Sequence, residues 1–193
     1  KSELVILEVF EEPDSSFPNG IPNPLLPENH HFTSDAVLAM GADFGVAFDG
    51  DFDRCFFFDK RGEFVPGEIM VGLIAGFFAR KAKNEVIVHD PRLVFNTRNI
   101  CDRFDAFPVQ SRTGHLFMKQ VMRERNAVYG GEISAHHYFR DFFYCDSGMI
   151  PWLLVADILS DSISDLTELV SEQKAQFPSS GERNFSIHDS SRV

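Results

Sequence analysis

The chain has 193 residues, 44% of them apolar, which is enough for one large or two small domains around a core and excludes a disordered polypeptide. Its net charge is −11 with no run of Lys and Arg, which excludes a non-specific nucleic-acid binder. No apolar run reaches the ~20 residues that span a bilayer, so no membrane partner is expected, and three scattered cysteines, Cys55, Cys101 and Cys145, fit a reducing cytoplasm better than a disulfide framework.

The chain opens on KSELVILEVF with no initiator Met and no signal-peptide pattern, so it is expected to be a piece of a longer protein. The apolar run at residues 4–9 predicts a buried strand. Residues 17–29 hold four prolines and predict an ordered, extended loop. Residues 33–40 predict a short helix, capped by Thr33 or Ser34 and ended by Gly41. Strands are expected at 45–49 and 54–59, with an acidic turn between them and a second turn at KRGEF, residues 60–64. Ile69, Leu73 and Phe77, with Met70, Ile74 and Phe78, recur at helical spacing and predict an amphipathic helix over 68–83. Strands at 85–90, 106–111 and 127–132 then alternate with helices at 95–104 and 115–124. A mostly apolar helix follows over 148–159, with Pro151 in its first turn, and a last one over 165–177 with Ser164 as its cap. The tail from Pro178 has no periodicity.

Strands alternating with helices predict an α/β fold: layered αβα domains with mixed, largely parallel sheets. The boundary falls in the turn at 62–67. Residues 1–62 are too few for a whole α/β domain and read as the second half of one, while 63–177 read as a complete one.

In such folds ligands gather at the carboxyl ends of the strands. An acidic chain binds an anion only by gathering its few cations in one cleft, which makes Arg54, Arg92, Arg112 and Arg140 informative. Four loops carry the chemistry. The first is DGDFDR, where Asp49, Asp51 and Asp53 precede Arg54. Hard oxygen ligands at alternating positions suit a hard divalent cation, and three carboxylates suit magnesium with a phosphate. The EF-hand reading fails, because that loop needs Gly where Arg54 stands and Glu where Lys60 stands. A phosphatase with Asp49 as nucleophile and a plain solvated turn are the alternatives.

The second loop is HDPRL, where Arg92 could hold a phosphate. The third is SRTGH, just before a helix: Thr113, Gly114 and free backbone N–H groups make an anion site, Arg112 and Lys119 add positive charge, and His115 could move a proton. The fourth is GGEISAHHYF, in which Glu132, Ser134, His136 and His137 crowd together. A carboxylate beside a hydroxyl matches the paired hydroxyls of a sugar. Zinc is the rival reading for the two histidines, weakened because adjacent side chains point in different directions.

Taken in order, SFPNGIPNPLLPEN, DGDFDRC, HDPRLVFNT, SRTGHLFMK and GGEISAHHYFRDFFYCDSGMIPWLL make the chain resemble the α-D-phosphohexomutase superfamily, nearest to its bacterial-type phosphomannomutases, over residues 17–177. The resemblance implies a four-domain fold around one cleft. Residues 1–62 would be the C-terminal part of domain 2 with the metal loop. Residues 63–177 would be domain 3 with the sugar loop, and 178–193 a linker towards domain 4. Two parts of the family pattern are absent from the sequence: a T-x-S-H-N-type loop whose serine is phosphorylated (domain 1) and an R-x-S-x-T-type phosphate clamp (domain 4).

The activity implied is that of a cytoplasmic isomerase serving nucleotide-sugar biosynthesis. It interconverts mannose 6-phosphate and mannose 1-phosphate through a phosphoserine and a hexose 1,6-bisphosphate, with Mg²⁺ as cofactor and glucose or mannose 1,6-bisphosphate as activator. The chain alone would be inactive. Asp49, Asp51 and Asp53 would hold the metal and Arg54 would steady the transferring group. Arg92 and His115 would be the proton-transfer candidates. Arg112, Thr113, Gly114, Lys119, Glu132, Ser134 and His136 would bind the hexose phosphate, Glu132 and Ser134 at its 3- and 4-hydroxyls. Those hydroxyls are shared by mannose and glucose, so a phosphoglucomutase or dual-specificity enzyme stays open, as does a non-catalytic sugar-phosphate-binding remnant. Many relatives carry Lys where Arg92 and Arg112 stand. An arginine is always charged, which favours an electrostatic role for Arg92.

Overall fold

The computed structural model describes residues 4–12 and 14–179. Residues 4–9 form no strand: Leu4, Val5, Ile6 and Leu7 stand exposed. A strand needs a neighbour for its N–H and C=O groups, and among the described residues neither sheet offers these one. A turn of 3-10 helix at Pro27–Asn29 leads straight into α1 (His30–Met40), which ends at Gly41 with a left-handed φ of 63°. The helix thus starts before Thr33, and neither Thr33 nor Ser34 caps it. Ser34 instead donates its hydroxyl to the Gly62 carbonyl at 2.6 Å.

Strands β1 (Phe44–Phe48) and β2 (Cys55–Asp59) pair antiparallel with Phe48 opposite Cys55, so residues 49–54 are the loop of a hairpin. The expected turn at 60–64 includes the start of a third strand, β3 (Phe64–Val65). β2 lies in the middle of this sheet and is buried at every residue, which accounts for its unbroken CFFF run.

The second unit runs α2 (Gly67–Lys81), β4 (Val86–His89), α3 (Val94–Arg103), β5 (Phe107–Gln110), α4 (His115–Arg125), β6 (Tyr129–Gly131), β7 (His137–Phe139), β8 (Cys145–Asp146), α5 (Met149–Asp161) and α6 (Leu166–Gln176). Its sheet has the order β5-β4-β6-β7-β8 and is mixed, as expected: the first three strands are parallel, while β7 and β8 add antiparallel. Those last two hold three and two residues, too few to display an alternation: β7 falls inside the fourth loop of the sequence, and β8 lies in the stretch after it to which no element is assigned. Along β4 the side chains alternate: Ile87 joins the core under α2 and α3, Val88 the one under α4. That is the three-layer αβα arrangement.

α2 is buried on both flanks. Val71, Ile74 and Ala75 pack on its own sheet, while Ile69, Met70 and Leu73 pack with Phe57, Val65, Val155 and Leu166 in the core between the units. It is therefore less amphipathic than its spacing predicted. Asp165, not Ser164, caps α6: its carboxylate accepts the Glu168 N–H at 3.0 Å, and the Glu168 side chain accepts the Asp165 N–H at 3.2 Å. The tail at 180–193, where a linker is expected, lies outside the described residues. Among the described residues no helix is long and apolar enough to cross a membrane.

Asp59, at the end of β2, is 1% exposed and joins the units. It accepts the backbone N–H of Arg61 at 2.9 Å and of Glu63 at 3.0 Å, and the Thr167 hydroxyl of α6 at 2.9 Å. Asp59→Ala is expected to cost roughly 3 kcal/mol, since hydrogen bonds to a charged group contribute about 1.5–3 each and the three are not additive. Urea unfolding checks this, and a loss under about 1 kcal/mol would refute the account.

His137 is wholly buried, and burial, followed by the neighbouring His136, pulls it from 6.5 to about 3. The unfolded chain takes up a proton that the native one refuses, so this residue's contribution is complete above pH 6.5 and falls steadily towards pH 3. Unfolding midpoints should drop between pH 7 and pH 5, and His137→Gln should flatten that dependence.

Candidate active site

The β1–β2 hairpin presents Asp49, Asp51 and Asp53 with ligand oxygens all within 4.8 Å of one another. Asp49 is buried, Asp53 is half-buried and Asp51 is exposed. Arg54 folds back on the loop: its N–H donates to Asp49 Oδ1 at 3.2 Å, its Nε to Asp49 Oδ2 at 2.5 Å, and Nε lies 3.9 Å from Asp53 Oδ1. Burial pushes the Asp53 carboxyl above its ordinary value. His136 opposes the rise, and the carboxylates of Asp49, Asp51 and Asp146 add to it. Hard oxygens that repel one another, one of them open to solvent, are a donor set that fits a hard divalent cation.

The second unit clamps this loop. Arg54 and His136 form an antiparallel bridge, and His136 Nε2 lies 3.5 Å from Asp53 Oδ2. Just before α5, the Gly148 N–H donates to the Phe52 carbonyl at 3.2 Å. A Cβ on Gly148 would sit 2.4 Å from that oxygen and 3.0 Å from the Arg54 carbonyl oxygen, so only glycine allows this approach.

Two buried carboxylates tie the other loops together. Asp90, after β4, is 0% exposed; it accepts the Ile133 N–H at 2.9 Å, the Arg92 N–H at 2.8 Å and the Arg92 guanidinium at 2.9 Å. Glu132, after β6, is 2% exposed; it accepts the Gly114 N–H at 2.7 Å and the Tyr138 hydroxyl at 2.6 Å. Both Glu132 oxygens thus already have protein donors, and only their remaining lone pairs are left for a ligand. The Gly114 N–H, expected to face an anion, is taken. The exposed side chains of Arg112, Thr113 and His115 stand at the start of α4. Lys119, also on α4, pairs with Asp146 at 2.7 Å. Ser134 Oγ lies 3.0 Å from His136 Nδ1.

The expected residues therefore gather in three linked groups. Asp53 and Arg54, beside Asp49 and Asp51, meet His136 directly, and Ser134 joins through His136. Arg112, Thr113 and His115 join them through Gly114 and Glu132, and Arg92 joins through Asp90 and Ile133. Arg140 is not part of this set: it grips Glu85 with two bonds of 2.9 Å, before β4 and so at the opposite end of the sheet from Asp90. The two histidines part as adjacent strand residues do. His136 faces Asp53, while His137 Nδ1 meets the Tyr129 hydroxyl in the core at 2.7 Å. Sequence reasoning passed over Asp90, Tyr138, Asp146 and Gly148. The Asp-Pro pair at 90–91 and the alternation through HHYF were the available signals.

The family model described as phosphoglucomutase/phosphomannomutase, alpha/beta/alpha domain III matches residues 66–177, and the model of domain II matches residues 1–62. A protein of Xanthomonas campestris pv. campestris named for phosphohexose mutases is 55% identical over 183 residues, 95% of this chain and 41% of its own. The phosphomannomutase of Escherichia coli strain K12 is 55% identical over 182 residues, 94% of this chain and 40% of its own. The crystal structure of a phosphoglucomutase/phosphomannomutase family protein from Burkholderia thailandensis superposes with a TM-score of 0.79 at 29% identity, over 84% of this chain and 36% of that one. The chain thus spans about 40% of the length of these curated relatives. With domain III matched over more than half of its residues and domain II over most of the rest, the chain belongs to the phosphoglucomutase/phosphomannomutase family, within the α-D-phosphohexomutase superfamily.

Proposed function

We propose that this chain is the part of a cytoplasmic phosphomannomutase that holds the metal and the sugar. Residues 1–62 are then the end of domain 2, 63–177 are domain 3, and 178–193 lead towards domain 4. The reaction interconverts mannose 6-phosphate and mannose 1-phosphate through a hexose 1,6-bisphosphate. The phosphoryl donor is a serine outside this sequence, which holds no T-x-S-H-N loop. One observation carries the reading: the loop with three converging carboxylates sits 3.5 Å from the loop that pairs a carboxylate with a hydroxyl. Metal-assisted phosphoryl transfer to a sugar needs that juxtaposition.

Asp49, Asp51 and Asp53 would hold Mg²⁺, which when bound supplies a Lewis acid beside the transferring phosphoryl oxygens. Arg54 commits its Nε to Asp49, and its two Nη groups make no protein hydrogen bond among the described residues, so they are free to steady developing charge. Arg92, always charged and braced by Asp90, acts electrostatically. His115 offers an exposed ring for proton transfer at the start of α4. Arg112, Thr113, Gly114 and Lys119 form the phosphate side of the cleft, and Glu132, Ser134 and His136 the sugar side. The 3- and 4-hydroxyls facing Glu132 and Ser134 are the same in mannose and glucose. They also look alike in both orientations of the bisphosphate, so one site serves both half-reactions. For the same reason a phosphoglucomutase or dual-specificity enzyme is the second reading. Glucose or mannose 1,6-bisphosphate would serve as activator.

Phosphorus NMR of the chain with Mg²⁺, mannose 1-phosphate and a trace of glucose 1,6-bisphosphate tests this. The expected result is magnesium-dependent broadening of the substrate line without turnover. Absence of broadening would refute the site. Growth of mannose 6-phosphate would refute the placement of the donor outside the chain. Asp51→Asn should weaken Mg²⁺ binding by roughly tenfold or more in calorimetry while the fold persists, because Asp51 is exposed. Unchanged affinity would remove Asp51 from the metal site.

A further inference from the structure

We propose that Tyr138 is a positioning residue of this site, acting through Glu132 to hold the phosphate loop and the sugar loop in one register; the proposal rests on the mutase reading above. Tyr138 is fully buried, yet its surroundings are the charged groups of the cleft. Its hydroxyl donates to Glu132 Oε2 at 2.6 Å, and Glu132 Oε1 accepts the Gly114 N–H at 2.7 Å. The His136 ring stacks on the phenol at 6.3 Å between centroids, and Lys119 Nζ lies 5.8 Å from the same ring. Asp146, which holds Lys119, is the cross-strand partner of Tyr138. One side chain therefore touches the sugar loop, α4 and β8 together.

The physical argument turns on Glu132. A carboxylate that is 2% exposed needs donors from the protein, and among the described residues Tyr138 is its only side-chain donor. His136 Nδ1, at 3.8 Å, is too far for a hydrogen bond. Burial, and then the bond to Glu132, raise the phenol's pKa well above its ordinary value, so the donor is permanent and Tyr138 does not exchange protons with substrate. With that O–H gone, Glu132 keeps one backbone donor and is free to rotate away from it. The start of α4, with Arg112, Thr113 and His115, then loses its tie to Ser134 and His136. Phenylalanine keeps the ring that Lys119 and His136 pack against, so Tyr138→Phe removes the tie and little else.

The test uses the full chain in four forms: parent, Tyr138→Phe, Glu132→Ala and the double variant. Mannose 1-phosphate is titrated in the presence of Mg²⁺ and read by phosphorus NMR, and exchange of the Gly114 amide proton is followed by nitrogen-15 NMR. Tyr138→Phe should weaken mannose 1-phosphate binding by roughly tenfold and speed Gly114 exchange by a similar factor, the scale set by one hydrogen bond to a charged group. Mg²⁺ affinity should stay within about twofold. In the Glu132→Ala background, which offers neither donor an acceptor, the same substitution should change Gly114 exchange by less than about twofold, because its route is already cut. Parent-like binding and exchange in Tyr138→Phe would overturn the proposal. So would an undiminished speeding of exchange in the Glu132→Ala background, which would mean packing alone. If the parent binds no mannose 1-phosphate, the mutase reading fails and Gly114 exchange alone decides the role of Tyr138. If Tyr138→Phe does not fold, Gly114 exchange in Glu132→Ala decides it: faster exchange supports the tie and unchanged exchange refutes it.

Discussion

The cleft depends on carboxylates taken out of water and satisfied by donors from distant parts of the chain. Burying a charge without partners costs several kcal/mol, so each such group admits only a backbone arrangement that brings donors to it. Asp90 draws the Ile133 N–H across 43 residues of sequence, and Glu132 draws the Gly114 N–H across 18. Each bond contributes little net stability, but its absence would leave a buried anion unsatisfied. That asymmetry fixes the mutual positions of the second, third and fourth loops more sharply than apolar packing could.

The acidic loop obeys a different rule. Asp49 is satisfied internally by Arg54, both carboxylate oxygens taking a donor from the same residue. Asp53 is not: burial and neighbouring carboxylates lift it above its ordinary value, and it lies 3.9 Å from Arg54 Nε and 3.5 Å from a histidine of the other unit. The loop has therefore solved its electrostatics for one aspartate and left two with unspent negative potential. On the proposed reading, that residue of charge makes the hairpin a cation site rather than a salt-bridged turn.

Much of this was legible in the sequence where donors and acceptors are close neighbours along the chain. Asp49, Asp51, Asp53 and Arg54 lie within one loop, and their convergence could be read from spacing alone. α2 announces itself through 3.6-residue periodicity. What failed to show was of two kinds. Short elements lack a pattern: β3, β7 and β8 hold two or three residues each, so Tyr138 was read as part of a loop and its burial was missed. Long-range partners lack a signal: nothing near Asp90 announces Ile133, and nothing near Gly148 announces the Phe52 carbonyl it must approach. The run at 4–9 erred in the other direction, since apolar composition predicts a strand but cannot supply the neighbour that a strand requires.

The contacts between the two units differ in strength from back to front. Behind the cleft, the shared core around Phe57, Met70 and Leu166 and the buried bond from Thr167 to Asp59 are out of water. At the front, the His136–Asp53 pair is 3.5 Å long and partly solvated, which makes it worth a fraction of a buried bond. A joint built this way keeps its geometry when the front contact is exchanged. On the proposed reading Asp53 would trade His136 for a cation without loosening the units, and His136, still held by Ser134 and stacked on Tyr138, would be released towards the sugar. The weakness of that one contact is thus consistent with its position. On the proposed reading, a strong contact there would hold Asp53 against the metal that the three carboxylates would receive.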